Sequence, residues 1–316
     1  MKALIVGFGG MGCRHTQSVI SMGSFNRIDA VEPDKSVFET NLAKIGSNPD
    51  QVNYFGNLND VKGNEYDIVI IATSSKPRFD IFKYLAENSK CKNYLIEKVV
   101  FQSGAQFEEA INIAEKKGLN VHCNLPNRYF RNYIELKKEI AILKQPFSFS
   151  VMGGDFGMAC NSIHYMDLFY YLSGECPEYK GSELKVHPNG SKRGSNYNEL
   201  LGNISYANAD GSTFHVSADQ RLNDMVVVNI KTAESDRYFF ENHRYTIELK
   251  NGNSKSDSFD ILPSSILTKD LVKDILTGKC FMPTIQEMYL THSALFSVFN
   301  KAFGLPVSKD TLCPIT

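Results

Sequence analysis

The sequence predicts an α/β chain in two parts: an N-terminal doubly wound parallel sheet, then an α/β domain with an open, mainly antiparallel sheet. Three observations lead there. Over the first third, apolar runs alternate with helix-length segments, which implies βαβ units. A glycine-rich turn joins the first run to the first helix. Past residue 145 the texture changes to period-two alternation between turn residues, the pattern of hairpins rather than crossovers. A chain of 316 residues accommodates two domains, and the expected division is 1–123 and 124–316.

The elements follow in order. "KALIVGFG" (2–9) is an apolar run ending in glycines, and a helix follows to about Met22. "RIDAVEP" (27–33) and "YDIVIIATS" (66–74) are strands, the second followed by the amphipathic "FDIFKYLAENS" (79–89). "KNYLIEKVV" (92–100), a helix over 104–117 and the strand "LNVHCNL" (119–125) complete the parallel part. Beyond it, 146–154, 202–220 and 225–252 alternate as strands, with "NADG" and "KNGN" as hairpin turns. Helices are expected over 157–172 and 284–303, and the polar "NGNSKSDS" (251–258) is read as a surface loop.

Bulk properties exclude several function classes. With 42% hydrophobic and 22% charged residues and a net charge of −1, nothing favours nucleic acid or an anionic membrane as partner. Apolar runs such as "IVIIA" (68–72) are too short to span a bilayer. The first strand begins at Lys2 and runs straight into a motif, so no secretory leader is expected. Seven cysteines without a CxxC pair fit free thiols in a reducing, cytoplasmic setting, and their spacing suggests no metal site.

"GFGGMG" places Gly7, Gly9 and Gly12 in G-x-G-x-x-G spacing, with Gly10 and Met11 between them. Alone the match is weak. Here it follows a strand, opens a helix, and is trailed by Glu32 at the end of the second strand, twenty residues after Gly12 (32 − 12). That is the dinucleotide fingerprint of a Rossmann domain. Gly7 allows the tight turn, Gly9 the approach of the pyrophosphate, and Gly12 the helix–strand packing. The helix N-terminus offers free N–H groups and a positive dipole end to the phosphates. A carboxylate at Glu32 accepts from both ribose hydroxyls and repels a 2′-phosphate, so NAD is favoured over NADP.

"GMACNSIHYMDLFYYL" (157–172) carries two stripes. Ile163, Met166, Phe169 and Tyr170 recur at helical spacing and should bury. Cys160, His164, Asp167 and Tyr171 form a second stripe on the face expected to look toward the cofactor, with Cys160 read as a small buried residue, Tyr171 as packing, and Asp167 either as a partner of His164 or as a ligand of the backbone.

Further segments complete a pattern. "GFGGMGCRH", "DIVIIATSS", "YLIEKV" (94–99), "LPNRYF" (125–130) and "NSIHYMD" occur in the order found in the Gfo/Idh/MocA oxidoreductases, the family of glucose–fructose oxidoreductase and inositol dehydrogenase, which the sequence resembles over most of its length. "YLIEKV" is similar to that family's E-K-P signature. The resemblance implies a Rossmann domain plus an α/β domain whose open sheet commonly forms the oligomer interface, hence a homo-oligomer. It also implies Ala72, Thr73, Ser74, Glu97 and Lys98 at the cofactor. Lys98 resembles the lysine that contacts the reacting hydroxyl, and His164 the acid/base. Arg128 is read either as a substrate ligand or as a bridge between domains. Three departures stand out: Val99 where the family has proline, Cys160 where many members have Asp, and Arg78 near where many have His.

The chemistry agrees. Oxidising a secondary alcohol requires a proton to leave oxygen while hydride leaves carbon. His164 suits that proton shuttle near neutrality, and the Lys98 ammonium can stabilise a developing alkoxide. Asp167, three residues after His164, can orient or charge-stabilise the imidazole, and Asn161 is a neighbouring hydrogen-bonding candidate. The expected activity is NAD(P)-dependent hydride transfer at a hydroxyl or carbonyl of a sugar, polyol or nucleotide-linked sugar, the substrate class coming from the resemblance. Two alternatives are a sugar lyase or glycosidase with internally recycled NAD and a non-catalytic dinucleotide-binding regulator.

Overall fold

Three separate segments of the chain build the first unit, which comprises Met1–Phe101, Ala105–Pro126 and Leu262–Met288. The computed structural model describes residues 1–223 and 225–316. β1 (Lys2–Val6), β2 (Arg27–Val31), β3 (Val52–Phe55), β4 (Ile68–Ile71), β5 (Asn93–Glu97) and β6 (Asn120–Asn124) form one sheet in the order β3-β2-β1-β4-β5-β6. Every pairing in it is parallel. α1 (Gly10–Ser21), α2 (Lys35–Leu42), α3 (Ser75–Asn88) and α4 (Gly104–Lys117) are the intervening helices. β1 and β4 read as unbroken apolar runs because both faces of a parallel sheet are covered; Leu4, Ile5, Ile68, Val69, Ile70 and Ile71 are all fully buried.

This order reverses between β1 and β4, so the carboxyl ends of those strands open the crevice where such sheets bind ligands. α3 begins four residues earlier than the amphipathic pattern suggests (79 − 75), because Pro77 is tolerated in a first turn whose N–H groups need no intrahelical partner. α2 and β3 carry too little periodicity to be marked in the sequence.

The second unit comprises Gln102–Gly104, Asn127–Ile261 and Tyr289–Thr316. After α5 (Arg131–Leu143) come β7 (Ser148–Gly153), α6 (Met158–Ser173), β8 (Glu178–Val186), β9 (Leu200–Ala207) and β10 (Thr213–Ala218). β11 (Val227–Lys231), β12 (Asp236–Phe240), β13 (Tyr245–Lys250) and β14 (Asn253–Ser258) complete a sheet of order β14-β13-β12-β11-β7-β10-β9-β8. β7 and β10 pair in parallel and the other neighbours antiparallel. α6 covers one face: Phe169 lies 5.3 Å from Phe147 and 5.5 Å from Phe214, ring centre to ring centre.

One expectation is corrected. Residues 253–258, read as loop, form β14, paired from Lys250↔Asn253 to Tyr245↔Ser258. All six of its residues are exposed. An edge strand held by backbone hydrogen bonds needs no apolar face, so it leaves no hydrophobic period to read. The "KNGN" turn does its expected work, with Asn251 and Gly252 both at positive φ.

Two helices close the list, α7 (Ser264–Leu276) and α8 (Ile285–Ala302). α7 packs on α1 in the first unit: the Ser18 hydroxyl donates to the Ile266 carbonyl and accepts from the Lys269 N–H at 2.8 Å. The chain is therefore not divided linearly, a crossing that periodicity does not mark. No helix among the described residues is long and apolar enough to cross a membrane.

Candidate functional site

In the first unit the glycine turn has the geometry its spacing implies. Gly7 sits at φ +86°, and a Cβ there would meet Thr73 at 2.9 Å. At Gly12 a Cβ would fall 2.0 Å from the Gly7 carbonyl oxygen. Gly9, by contrast, is the N-cap of α1 at φ −70°, with no side chain capping the helix. A Cβ at Gly9 or Gly10 would meet nothing within 4 Å. Two glycines are thus required by packing, and two border open space.

The first helical bond of α1 runs from Cys13 N–H to the Gly9 carbonyl, so the N–H groups of Gly10, Met11 and Gly12 precede it in the first turn. No acidic side chain lies in that turn. These are the features of an anion site.

Glu32 stands across the turn. One carboxylate oxygen accepts from the Phe8 N–H at 2.9 Å and the other from the Asp34 N–H at 3.3 Å. A cavity of about 610 Å³ joins Gly7, Gly9 and Glu32 to Asn57, Thr73 and Ser74; Ala72 lines it too. Thr73 Oγ1 is buried there with no hydrogen-bond partner among the described residues. Open glycines, free N–H groups, a fixed carboxylate and an orphaned hydroxyl suit a dinucleotide. Asn57 carries no motif in the sequence and enters only through the fold.

Glu97 and Lys98 end β5. Glu97 faces inward: its Oε1 accepts from His15 Nε2 at 2.9 Å and from Asn124 Nδ2 at 2.6 Å. His15 Nδ1 lies 2.8 Å from Thr268 Oγ1, whose own proton goes to the Ser264 carbonyl. One buried network therefore ties α1, β5, β6 and α7 together. Glu97, expected at the cofactor, has its carboxylate committed to this network. Burial pushes the Glu97 carboxyl up, but the His15 hydrogen bond and charge more than offset that and hold it at about 2. Lys98 is buried, and the Lys98–Val99 peptide is cis. The Arg78 guanidinium donates to the carbonyls of Val99 and Thr73.

In the second unit, α6 carries the remaining residues, and its second stripe does not stay together. Cys160 and Asp167 are buried, whereas Asn161, His164 and Tyr171 are half-buried. Asp167 accepts a bidentate pair from Arg128, at 2.6 and 3.0 Å, both side chains being buried. The Arg128 guanidinium also lies over the rings of Tyr170 and Tyr171. The structure thus gives Asp167 and Arg128 to each other, one on α6 and one just before α5. Asn161 Nδ2 donates to the Phe156 carbonyl at 2.6 Å. The His164 carbonyl lies 3.5 Å from Asn127 Nδ2.

Next to His164, the Tyr165 hydroxyl donates to Glu241 at 2.8 Å. Burial raises the Glu241 carboxyl to about 7, the Tyr165 bond opposing it. Glu97 and Glu241 therefore give stability opposite slopes with pH. Glu97, depressed from 4.5, contributes stability that is present above its ordinary value and lost as pH falls toward 2. Glu241, raised from 4.5, contributes stability that is present below that value and lost as pH rises through 7. On the order of 3 kcal/mol is at stake at Glu241. Glu241→Gln is expected to hold Tm nearly level from about pH 5 to about pH 7.5, where the parent declines. Calorimetric scans across that range check this; parallel curves would refute it.

Among the described residues no group of three His, Cys, Asp or Glu side chains is placed to hold a metal ion.

Residues 1–125 match the model of the Gfo/Idh/MocA oxidoreductase family, NAD-binding Rossmann fold. No curated protein sequence matches the chain. Solved structures share the fold over nearly the whole length. Levoglucosan dehydrogenase, in complex with NADH and levoglucosan, is 15% identical, with 96% of this chain and 97% of that chain covered at a TM-score of 0.73. The WlbA dehydrogenase of Bordetella pertussis, in complex with NADH and UDP-GlcNAcA, is 15% identical, with 97% and 99% covered at 0.70. The super-repressor mutant of Gal80p from Saccharomyces cerevisiae is 13% identical, with 96% of each chain covered at 0.72. Over its first 125 residues the chain is thus similar to the NAD-binding Rossmann fold of the Gfo/Idh/MocA oxidoreductase family.

Proposed function

We propose that the protein is an NAD(P)-dependent dehydrogenase, preferring NAD, that moves hydride between the nicotinamide and a hydroxyl or carbonyl of a sugar, polyol or nucleotide-linked sugar. The observation that carries this reading is the Glu32 carboxylate held by the Phe8 N–H beside the open Gly9. Fixed there, it accepts from a ribose diol and repels a 2′-phosphate. The substrate class is supported by the named substrates of structural relatives, levoglucosan and a UDP-sugar.

When bound, the nicotinamide supplies the hydride acceptor or donor. The chain's own groups do the rest. The turn N–H groups of α1 hold the phosphates. Lys98 places an ammonium against charge developing on the reacting oxygen, and His164 carries its proton. Asn161 binds substrate beside His164. Arg128 and Asp167, whose pairing ties α6 to the segment before α5, act through the position of α6. Copies of the chain associate through the eight-stranded sheet, and the free thiols at all seven cysteines suit work in the cytoplasm.

A regulator that keeps the dinucleotide site without turnover is the second reading, favoured by the fold shared with Gal80p. Sustained NADH production on a panel of sugars, polyols and nucleotide sugars supports a dehydrogenase. Product formed without net NADH indicates internally recycled cofactor, and cofactor binding without any product indicates the regulator. NADH is expected to bind at least tenfold tighter than NADPH, about 1.4 kcal/mol, and Glu32→Ala should narrow that gap. Equal affinities in the parent protein, measured by fluorescence titration, would overturn the role given to Glu32.

A further inference from the structure

α6 begins without a side chain of its own to cap it. Its N-cap is Gly157, in the left-handed region at φ 76°, and its first intrahelical bond runs from Asn161 N–H to the Gly157 carbonyl at 2.9 Å. The N–H groups ahead of that bond would be orphaned in a helix as buried as this one. Two of them, on Ala159 and Cys160, are met from far along the chain. One carboxylate oxygen of Glu199 accepts from the Ala159 N–H at 2.8 Å, and the other from the Cys160 N–H at 3.3 Å.

Glu199 is itself tightly held. It precedes β9 immediately, it is buried, and its carbonyl accepts from the His187 N–H at 2.8 Å. A Cβ at Gly157 would sit 3.3 Å from both Glu199 Oε1 and Asn161 Nδ2, so the missing side chain is what lets the carboxylate approach. A negative charge is also the favoured partner for the positive end of a helix. Asn161 follows the capped residues directly. His164 lies four positions after Cys160, one turn on along the same face, about 6 Å of rise.

We propose that Glu199 is a positioning residue for Asn161 and His164: its buried carboxylate fixes the first turn of α6 and thereby the place of both side chains. Asn161 and His164 hold their turn of helix only as well as the turn before it is held. An uncapped first turn frays, and fraying begins at the residues that precede them. The inference rests on the proposed dehydrogenase reading for its activity readout alone.

Glu199→Gln is the test, because the amide keeps the volume but can accept only through one oxygen and brings a donor toward the other N–H. Hydrogen exchange at the Ala159 and Cys160 amides should quicken at least tenfold, with β10 amides unchanged. The His164 imidazole resonances should shift. On a substrate the parent turns over, kcat should fall about tenfold, with NADH affinity within twofold. Glu199→Asp, which keeps the charge on a side chain one methylene shorter, should recover part of that loss. It also serves if Glu199→Gln does not fold. Unchanged kcat with loosened amides would make Glu199 a structural cap only and overturn the proposal. If the parent turns over nothing, the dehydrogenase reading fails separately. The His164 resonances then decide for Glu199: moved, the proposal stands; unmoved, it falls.

Discussion

Replacing His164 by alanine is expected to cut turnover about 10²–10⁴-fold, the usual cost of losing one placed acid/base, while NADH affinity stays within a few-fold. His164 is half-buried on a helix whose other side is packed into aromatic core, so the imidazole is presented rather than entombed. Lys98→Ala should cost a comparable factor, since an alkoxide then develops without its cation. A histidine serving only the fold would give the opposite pattern: stability falls by roughly 1–3 kcal/mol and turnover per folded molecule survives. Tm, NADH affinity and turnover measured on the same samples separate the two. A His164→Ala protein that melts early but turns over normally would remove His164 from the chemistry.

Substitution in the glycine turn is expected to split cleanly into two outcomes. Gly9→Ala adds a methyl at φ −70°, where no protein atom lies within 4 Å. Tm should stay within about 1 °C, the scale of a surface change. Dinucleotide affinity should fall at least tenfold, because the methyl occupies the space the pyrophosphate must enter. Gly12→Ala pushes a methyl to 2.0 Å from the Gly7 carbonyl oxygen, and the backbone of α1 or of the turn must move. Overpacking of that kind costs roughly 3 kcal/mol or more, and binding is lost with stability. Calorimetry and NADH titration on both variants check the pair. A Gly9→Ala protein that binds NADH as the parent does would show that the open space beside the turn is not the phosphate site.

Where the sequence reading departs from the structure, the cause is legible. Strand β14 is six exposed residues with no apolar face, and nothing in "NSKSDS" distinguishes an edge strand from a loop. The stripe Cys160–His164–Asp167–Tyr171 looks uniform by spacing, yet α6 is buried around most of its circumference. A polar residue on such a helix is either exposed or partnered, and periodicity does not say which. Asp167 is partnered, with Arg128, 39 residues away. Glu97 likewise carries the right letter in the right place, but its carboxylate answers His15, 82 residues away.

Local pattern by itself determined the Rossmann domain of this chain, its strand–glycine–helix turn and the carboxylate that trails it, because each of those depends on residues within about thirty positions of one another. It also determined that an alternating sheet follows and that one helix there carries a histidine. Only the tertiary structure decided which polar groups are spent on the fold. His15, Glu97 and Thr268, Arg128 and Asp167, and Glu199 at the head of α6 are joined across 39 to 253 positions. Such pairs leave no period to read, since a buried charge is satisfied by whatever partner the folded chain brings within hydrogen-bond distance.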